Sequence, residues 1–494
     1  MSYSRPTRRV TVFAVTASLF AVFSFGAYPA FASVPPWSAP VTVADASGDA
    51  KATAVAPDGT ITTATETAAG IVTVTSADAG ATWAPAVLVG SGGDYAFRPA
   101  IGVTSSGLLA ASWVESTNNN RAIYVVTSAN KGATWSAPVA LPTVSTDVDN
   151  PVVASSSANG FTIAWSESFD KLSSSSLDGG ATWGAAEVIT HAMNSYGTAS
   201  LVPDGAGQIV VIFQEFDGQN ALYSIQSKRS TDAGVSWGPT VPVSDSWSGS
   251  LGNGIYAFGV SPSTGKIVAV WGRGVIGGEG LFATTSSDGG ATWGAPFSIF
   301  SPANSLRDFQ VQPISATSAG VVWYYQTGAH AVLDYSTVDV GASAASSPVT
   351  INPTLTANYS RYLPSFSTHA NVRVVSWYDH GETSAAFRVS VSCDSGVTWT
   401  APSDLAVGSD LPLADAVTVV AGSTFTALWG VPDQGPSGQS LRASSASAPC
   451  ASATPAADPT LAATGVPIMP LIIFVIAMLS VGACFIVFGR RTAS

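Results

Sequence analysis

The residues best placed to do chemistry recur at one position of a repeating pattern. Seven apolar runs end in an aromatic residue: Trp113, Trp165, Phe213, Trp271, Trp323, Trp377 and Trp429. Two residues beyond the first six stand Glu115, Glu167, Glu215, Arg273, Tyr325 and Asp379. Three successive glutamates at equivalent places read as an acidic arc. Tyr196, Trp247, Tyr256 and Tyr359 fall in loops and read as exposed rings beside it. Ring faces stack on C–H patches and carboxylates accept from hydroxyls, so this combination suits a sugar. Arg98, Arg307 and Arg361 offer a second chemistry, because guanidinium forks grip a carboxylate bidentately. Tyr359 and Tyr362, which flank Arg361 in the sequence, are the phenols near such a trio. The four histidines, His191, His330, His369 and His380, have no metal-ligand spacing, and no nucleophile elbow or phosphate loop is present. Neither a metal nor a cofactor is expected.

The elements that position these residues are read from an octapeptide. Ser76-x-Asp78-x-Gly80-x-Thr82-Trp83 returns at Ser176–Trp183 (Asp178), Ser286–Trp293 (Asp288) and Ser392–Trp399 (Asp394). Ser230–Trp237 keeps Asp232 with Ser236 for Thr, and Ser128–Trp135 has Asn130 for Asp. The box tryptophans are 48 to 56 residues apart, save one gap of 106 before Trp399. One repeat has therefore lost its box, placed at Ser336–Gly341, and keeps its following strand at Ser347–Ile351. A period of roughly 50 residues built from short strands means stacked β units. Pro36-Trp37-Ser38-Ala39-Pro40-Val41 copies the tail of a repeat with nothing before it, whereas Leu411–Ser447 is a repeat without a tail. The first strand is expected to complete the last sheet, closing the ring and hiding open edges. The reading is all-β: a propeller of eight four-stranded antiparallel blades, or seven if Lys51–Val74 is not a blade.

The octapeptide resembles the Asp-box, or BNR, repeat of sialidase-like β-propellers over Val34–Ser447. The resemblance implies a turn between the third and fourth strands of each blade. Its Asp would accept backbone N–H groups, its Gly would take positive φ, and its Trp would pack between blades. It also implies that binding occurs on the face away from the boxes. Sialidases use an arginine trio, a Tyr nucleophile and an Asp acid/base. Here Phe97-Arg98-Pro99 only partly matches their Phe/Tyr-Arg-Ile-Pro signature, and it follows the first box where theirs precedes it. The enzymes have six blades. Binding of glycans or a protein partner through the loop face is the favoured expectation. A sialidase, another glycosidase with paired carboxylates, and a purely structural or adhesive protein are the alternatives.

The ends speak to location. Residues 1–32 read as an export signal: Arg5, Arg8 and Arg9, an apolar core, then Ala30-Phe31-Ala32. The folded part is expected over 33–448, with an Ala/Pro/Thr spacer at 449–460. Leu461-Ala-Ala-Thr464-Gly465, an apolar stretch to Phe488 and Arg490-Arg491 form the last part, 461–494. It resembles a cell-wall sorting signal, which implies a sortase cutting between Thr464 and Gly465 and joining Thr464 to peptidoglycan. The alternative is a plain membrane anchor. The chain has 19 basic and 31 acidic residues. Losing Arg5, Arg8, Arg9, Arg490 and Arg491 leaves 14 basic residues and a formal charge of −17. That balance opposes nucleic-acid binding. A monomer is expected. Cys393 and Cys450 are 57 residues apart, close to one repeat, and are expected to form a disulfide that ties down the end of the chain.

Overall fold

The computed structural model describes residues 37–450, apart from 47–50, 91–92, 144, 169, 192–198, 205–206, 249–256, 276–277, 302–305, 328–329, 357–363, 381–384, 408–416, 433–438 and 448–449. The export signal and the sorting signal with Leu461, Thr464 and Gly465 lie outside the described residues. So does the expected span at 466–488. No helix among the described residues is long and apolar enough to cross a membrane.

The described residues form eight antiparallel sheets of four strands, one per repeat. The first strands of the blades are Lys51–Val55, Tyr95–Val103, Val148–Ser157, Ser200–Pro203, Ala257–Ser263, Leu306–Ser315, Ser365–His369 and Val417–Ala421. Each neighbours the next, and the eighth neighbours the first, so they ring a central axis. Blades 4 and 6 carry their outer strand in two pieces, the second being Trp247–Ser248 and Val349–Thr356. The first blade is a true blade, which settles the count at eight. Blade 8 is completed from the far end of the chain: Val41–Ala46 pairs with Gln439–Ser447, Val41 opposite Ala443 and Asp45 opposite Ser440. The closing strand covers the edge that Gln439–Ser447 would otherwise present to another chain.

The core lies in the joints between blades. Trp113, Trp165, Trp271, Trp323 and Trp429 are fully buried, and each packs with apolar residues of its own and a neighbouring blade. Residues such as Val268, Leu281 and Phe309 fill one joint between blades 5 and 6. Burying side chains of this size contributes about 1.5–3 kcal/mol each.

Side-chain hydrogen bonds rather than apolar packing shape the octapeptide turn. Ser76 Oγ donates to Asp78 Oδ1 at 2.8 Å and accepts the Gly80 N–H at 2.8 Å. Asp78 then takes Thr82 N–H at 2.8 Å and Thr82 Oγ1 at 2.6 Å. The same bonds recur around Asp178, Asp232, Asp288 and Asp394. Asn130 keeps the backbone acceptor but reverses one bond, its Nδ2 donating to Thr134 Oγ1 at 2.8 Å. Two successive residues have positive φ, such as Ala79 (55°) and Gly80 (90°). Gly is needed at the second for a further reason: a Cβ on Gly80 would lie 2.5 Å from Thr426 of blade 8. The turn thus leans on the preceding blade, where Thr426 Oγ1 donates to Ala79 O at 2.7 Å.

These bonds set a pH response. Side-chain and backbone donation from Thr182, then Ser176, holds the Asp178 carboxyl down at about 2. In Asp78, Asp232, Asp288 and Asp394 burial opposes the same bonds but does not outweigh them, and all four lie below the ordinary value. A lowered folded pKa means stability that is full above the unfolded value, about 4, and is lost as pH falls toward 2. Asp178→Asn should flatten the stability profile between about pH 4 and pH 2 relative to wild type. Denaturant melts across that range check this, and parallel profiles would count against it.

Blade 6 departs from the pattern. Ser346 N–H donates to Thr337 O as Gly294 N–H does to Thr285 O, which aligns Ala345 with Trp293. The lost box therefore spans Val338–Ala345, two residues later than where the sequence placed its start, and Ala345 stands where the Trp should be. The third strand simply runs on to Asp339 and pairs with Ala344–Ala345.

Cys393 and Cys450 are joined by a disulfide, with Cα atoms 5.5 Å apart. Both lie against a small core with Trp37, Val389 and Val391.

Candidate functional site

Strand order places the octapeptide turns and the first-to-second-strand turns at one end of the ring. At the other end lie the starts of the first strands and the second-to-third-strand turns. The second end is the loop face, and it carries every described candidate of the sequence reading.

The expected acidic arc does not face solvent. Glu115 is 6% exposed and Glu167 3%. Trp113 Nε1 donates to Glu115 Oε2 at 2.9 Å, and Trp165 Nε1 to Glu167 Oε2 at 3.1 Å. Glu167 also accepts the Ser145 N–H. The reason is the strand period of two: a residue two beyond a core-facing Trp points into the same joint. Glu215 follows Phe213, has no indole to accept from, and is only half-buried. Asp379 is 5% exposed and takes Arg388 Nη1 at 2.6 Å. Tyr325 lies against Phe300, centroids 4.2 Å apart, and hydrogen-bonds the buried Asp334. Burial and then the Asp334 charge push its phenol above the ordinary value, the wrong direction for a nucleophile.

Trp247 also departs from expectation, being 2% exposed. The split outer strand of blade 4 pairs Trp247 with Tyr223, which swings the indole into the joint with Trp271. Arg273 lies over it at 5.3 Å and pairs with Asp245 at 3.2 Å. Tyr196, Tyr256, Tyr359, Arg361 and Tyr362 fall outside the described residues, as does the Arg307 side chain.

Arg98 sits on a bulge of the Tyr95–Val103 strand with φ of 54°. Its N–H donates to Glu66 Oε1 of blade 1 at 2.7 Å. Its guanidinium reaches blade 3, with Nε 3.0 Å from Asp149 Oδ1 and Nη1 donating to Asn150 Oδ1. Asn150 has the same backbone, φ 53°, and like Arg98 precedes a proline. Asp149 also acts on Lys171: burial pushes that ammonium down to about 8, against the pull of the carboxylate. Lys171 Nζ donates to Ser166 Oγ at 2.6 Å.

Sequence reasoning missed the feature beside this bridge. A pocket of about 310 Å³ opens on the loop face between blades 1 and 2, lined by Glu66, Asp94, Tyr95 and Phe97. Tyr95 is 50% exposed and stacks on Phe97, centroids 5.2 Å apart at 28°. Arg121 lies 5.2 Å from the Phe97 centroid and stiffens the pair. Asp94, at the wall of the pocket, accepts Asn118 N–H on Oδ2 at 2.7 Å. Gly93 permits this loop, because a Cβ there would lie 2.4 Å from Ser116 O. The signal was available in Gly92-Gly93-Asp94-Tyr95, a loop that must come close to its neighbour. Among the described residues no cluster of His, Cys, Asp or Glu is arranged to hold a metal.

No protein-family model matches the chain, and no curated protein matches it. Solved structures do share its course. The NanB sialidase of Streptococcus pneumoniae is 14% identical with a TM-score of 0.40, over 59% of this chain and 67% of that one. A protein of unknown function from Dyadobacter fermentans is 12% identical with a TM-score of 0.42, over 84% and 99%. The polysaccharide lyase Uly1 is 11% identical with a TM-score of 0.48, over 73% and 91%. The likeness is one of general chain course, and no residue's role is taken from it.

Proposed function

We propose that this chain is an Asp-box propeller, exported and joined to the cell wall through Thr464, that binds glycans through the loop face of blades 1 and 2. The observation that carries the reading is the half-exposed Tyr95 ring, braced by Phe97, at a pocket edged by Glu66 and Asp94. An apolar ring face beside hydroxyl-accepting carboxylates is the chemistry of sugar recognition. Binding is favoured over hydrolysis because Arg98 already holds Asp149 and Asn150, so its charge is spent within the fold. Arg388 is likewise shared between Asp379 and Asp404.

Tyr95→Ala is expected to weaken glycan binding about tenfold, the worth of one stacked ring, with an unchanged melt. A glycan array followed by titration of the best ligand reads this. Unchanged affinity in Tyr95→Ala would move the site elsewhere. A fluorogenic sialoside run alongside tests the enzyme reading, and turnover that disappears in Arg98→Ala would replace binding by catalysis. No response in either assay would leave a protein ligand or a structural role as the better account.

A further inference from the structure

The lining of the pocket between blades 1 and 2 is one-sided in charge. It carries two carboxylates, Glu66 and Asp94, and no basic side chain. Beside them stand Tyr95, Phe97, Thr67 and small residues without polar side chains. Thr67 is engaged within its own turn: its Oγ1 donates to Gly70 O at 2.8 Å and accepts Ala69 N–H at 3.2 Å. The side chains of the wall therefore offer a ligand acceptors and a ring, and among them the Tyr95 hydroxyl is the remaining donor.

The acceptors are held in place before any ligand arrives. Asp94 N–H donates to Ser116 O and Asp94 Oδ2 accepts Asn118 N–H, both at 2.7 Å. A third carboxylate backs the same wall. Glu115 lies directly beneath the loop, where a Cβ on Gly93 would come 2.9 Å from Glu115 Cγ. Buried there, its charge is screened less than an exposed one. The neighbouring cations are turned elsewhere. Arg98 holds Asp149 on blade 3, Arg121 lies on the Phe97 ring, and neither lines the pocket.

We propose, on the glycan reading above, that the sugars taken here carry a free amine, with the ammonium against Tyr95 and within reach of Asp94 and Glu66. An ammonium brings three donors to a wall of acceptors. Its bonds to carboxylates are charge-assisted, and the face of a tyrosine ring attracts a cation. An acidic sugar would bring a carboxylate to the same wall with no cation there to receive it. A neutral sugar can stack on Tyr95 but gains nothing from the charge, and it is the competing outcome.

The test is calorimetric titration of the exported protein with a glucosamine tetrasaccharide, its N-acetylated counterpart, a glucose tetrasaccharide and a galacturonate one. The glucosamine probe should bind about tenfold tighter than the two neutral ones, and the galacturonate weakest. Added salt should shrink that gap. Asp94→Asn should narrow it about threefold, and Asp94→Asn with Glu66→Gln should close it. Both changes keep an oxygen for the N–H groups that Asn118 and Arg98 donate. Equal affinity of wild type for the glucosamine and neutral probes, with Tyr95→Ala weakening both, overturns the amine preference and keeps glycan binding. A preference that survives in the double variant overturns it as well, because it would then be general attraction to an acidic chain. If no probe binds at millimolar concentration the amine preference falls. The glycan reading falls with it only if Tyr95→Ala leaves the affinity for the best array ligand unchanged.

Discussion

Deleting residues 37–46 is expected to cost the ring its cooperative unfolding transition and its monomeric state. That segment supplies the whole outer strand of blade 8, with five paired positions against Gln439–Ser447. It also brings Trp37, Val43 and Ala44 into the joints on either side. Losing a fully buried Trp costs about 3–5 kcal/mol; the partly buried Trp37 is worth less, and the burial of Val43 and Ala44 adds to it. The total is comparable with the whole stability of an ordinary domain, about 5–15 kcal/mol. The third strand of blade 8 would then present a long open edge to other copies. Light scattering after size exclusion should show association, and a thermal melt should broaden or vanish. A synthetic 37–46 peptide added in trans should restore part of the melt. A truncated chain that stays monomeric with an unshifted melt would show that closure is not what holds blade 8.

Cys450→Ser is expected to be the next most damaging change. The bond closes a loop of 57 residues that spans the end of blade 7 and three strands of blade 8. On the chain-entropy account a loop of that size is worth about 4 kcal/mol. The bond also holds Cys450 against the core around Trp37. Urea melts of wild type and Cys450→Ser should differ by that order, and a reductant should bring wild type to the level of the variant. A difference under about 1 kcal/mol would mean that closure by residues 37–46 already suffices without the bond.

Much of this architecture was legible because the repeats report on one another. The octapeptide fixed the period, and the orphan tail at Trp37 fixed how the ring closes. Less was legible in the candidate site. Glu115 and Glu167 looked like a functional arc because their positions repeat. The same repetition follows from a strand pointing every second residue into its joint, where a Trp N–H needs an acceptor. Trp247 follows no repeat position, and only the split outer strand of blade 4 decides that its ring turns inward. The Arg98 bridge needed two blades at once, although the matching Arg98-Pro99 and Asn150-Pro151 pairs were visible in the chain. The turn itself held one surprise of local origin. Ala79, Lys131, Ala233 and Ser395 take positive φ without being glycine. The Ser and Asp side chains on either side hold the backbone there, which costs roughly 1 kcal/mol for such residues.

The disulfide also determines how the ring carries a pull. Chain beyond Cys450 leads toward the proposed wall linkage, so tension on the protein enters the fold at that residue. The sulfur bridge hands the load to Cys393, at the octapeptide turn of blade 7. The strand Gln439–Ser447 is thereby left out of the load path, and it cannot be peeled from its end like a zip. Force must instead shear blade 7 against its neighbours, across many hydrogen bonds loaded together. A ring closed in this way takes its load through blade 7 beside the seam and not through the closing strand pair, and it can be tugged without being unthreaded.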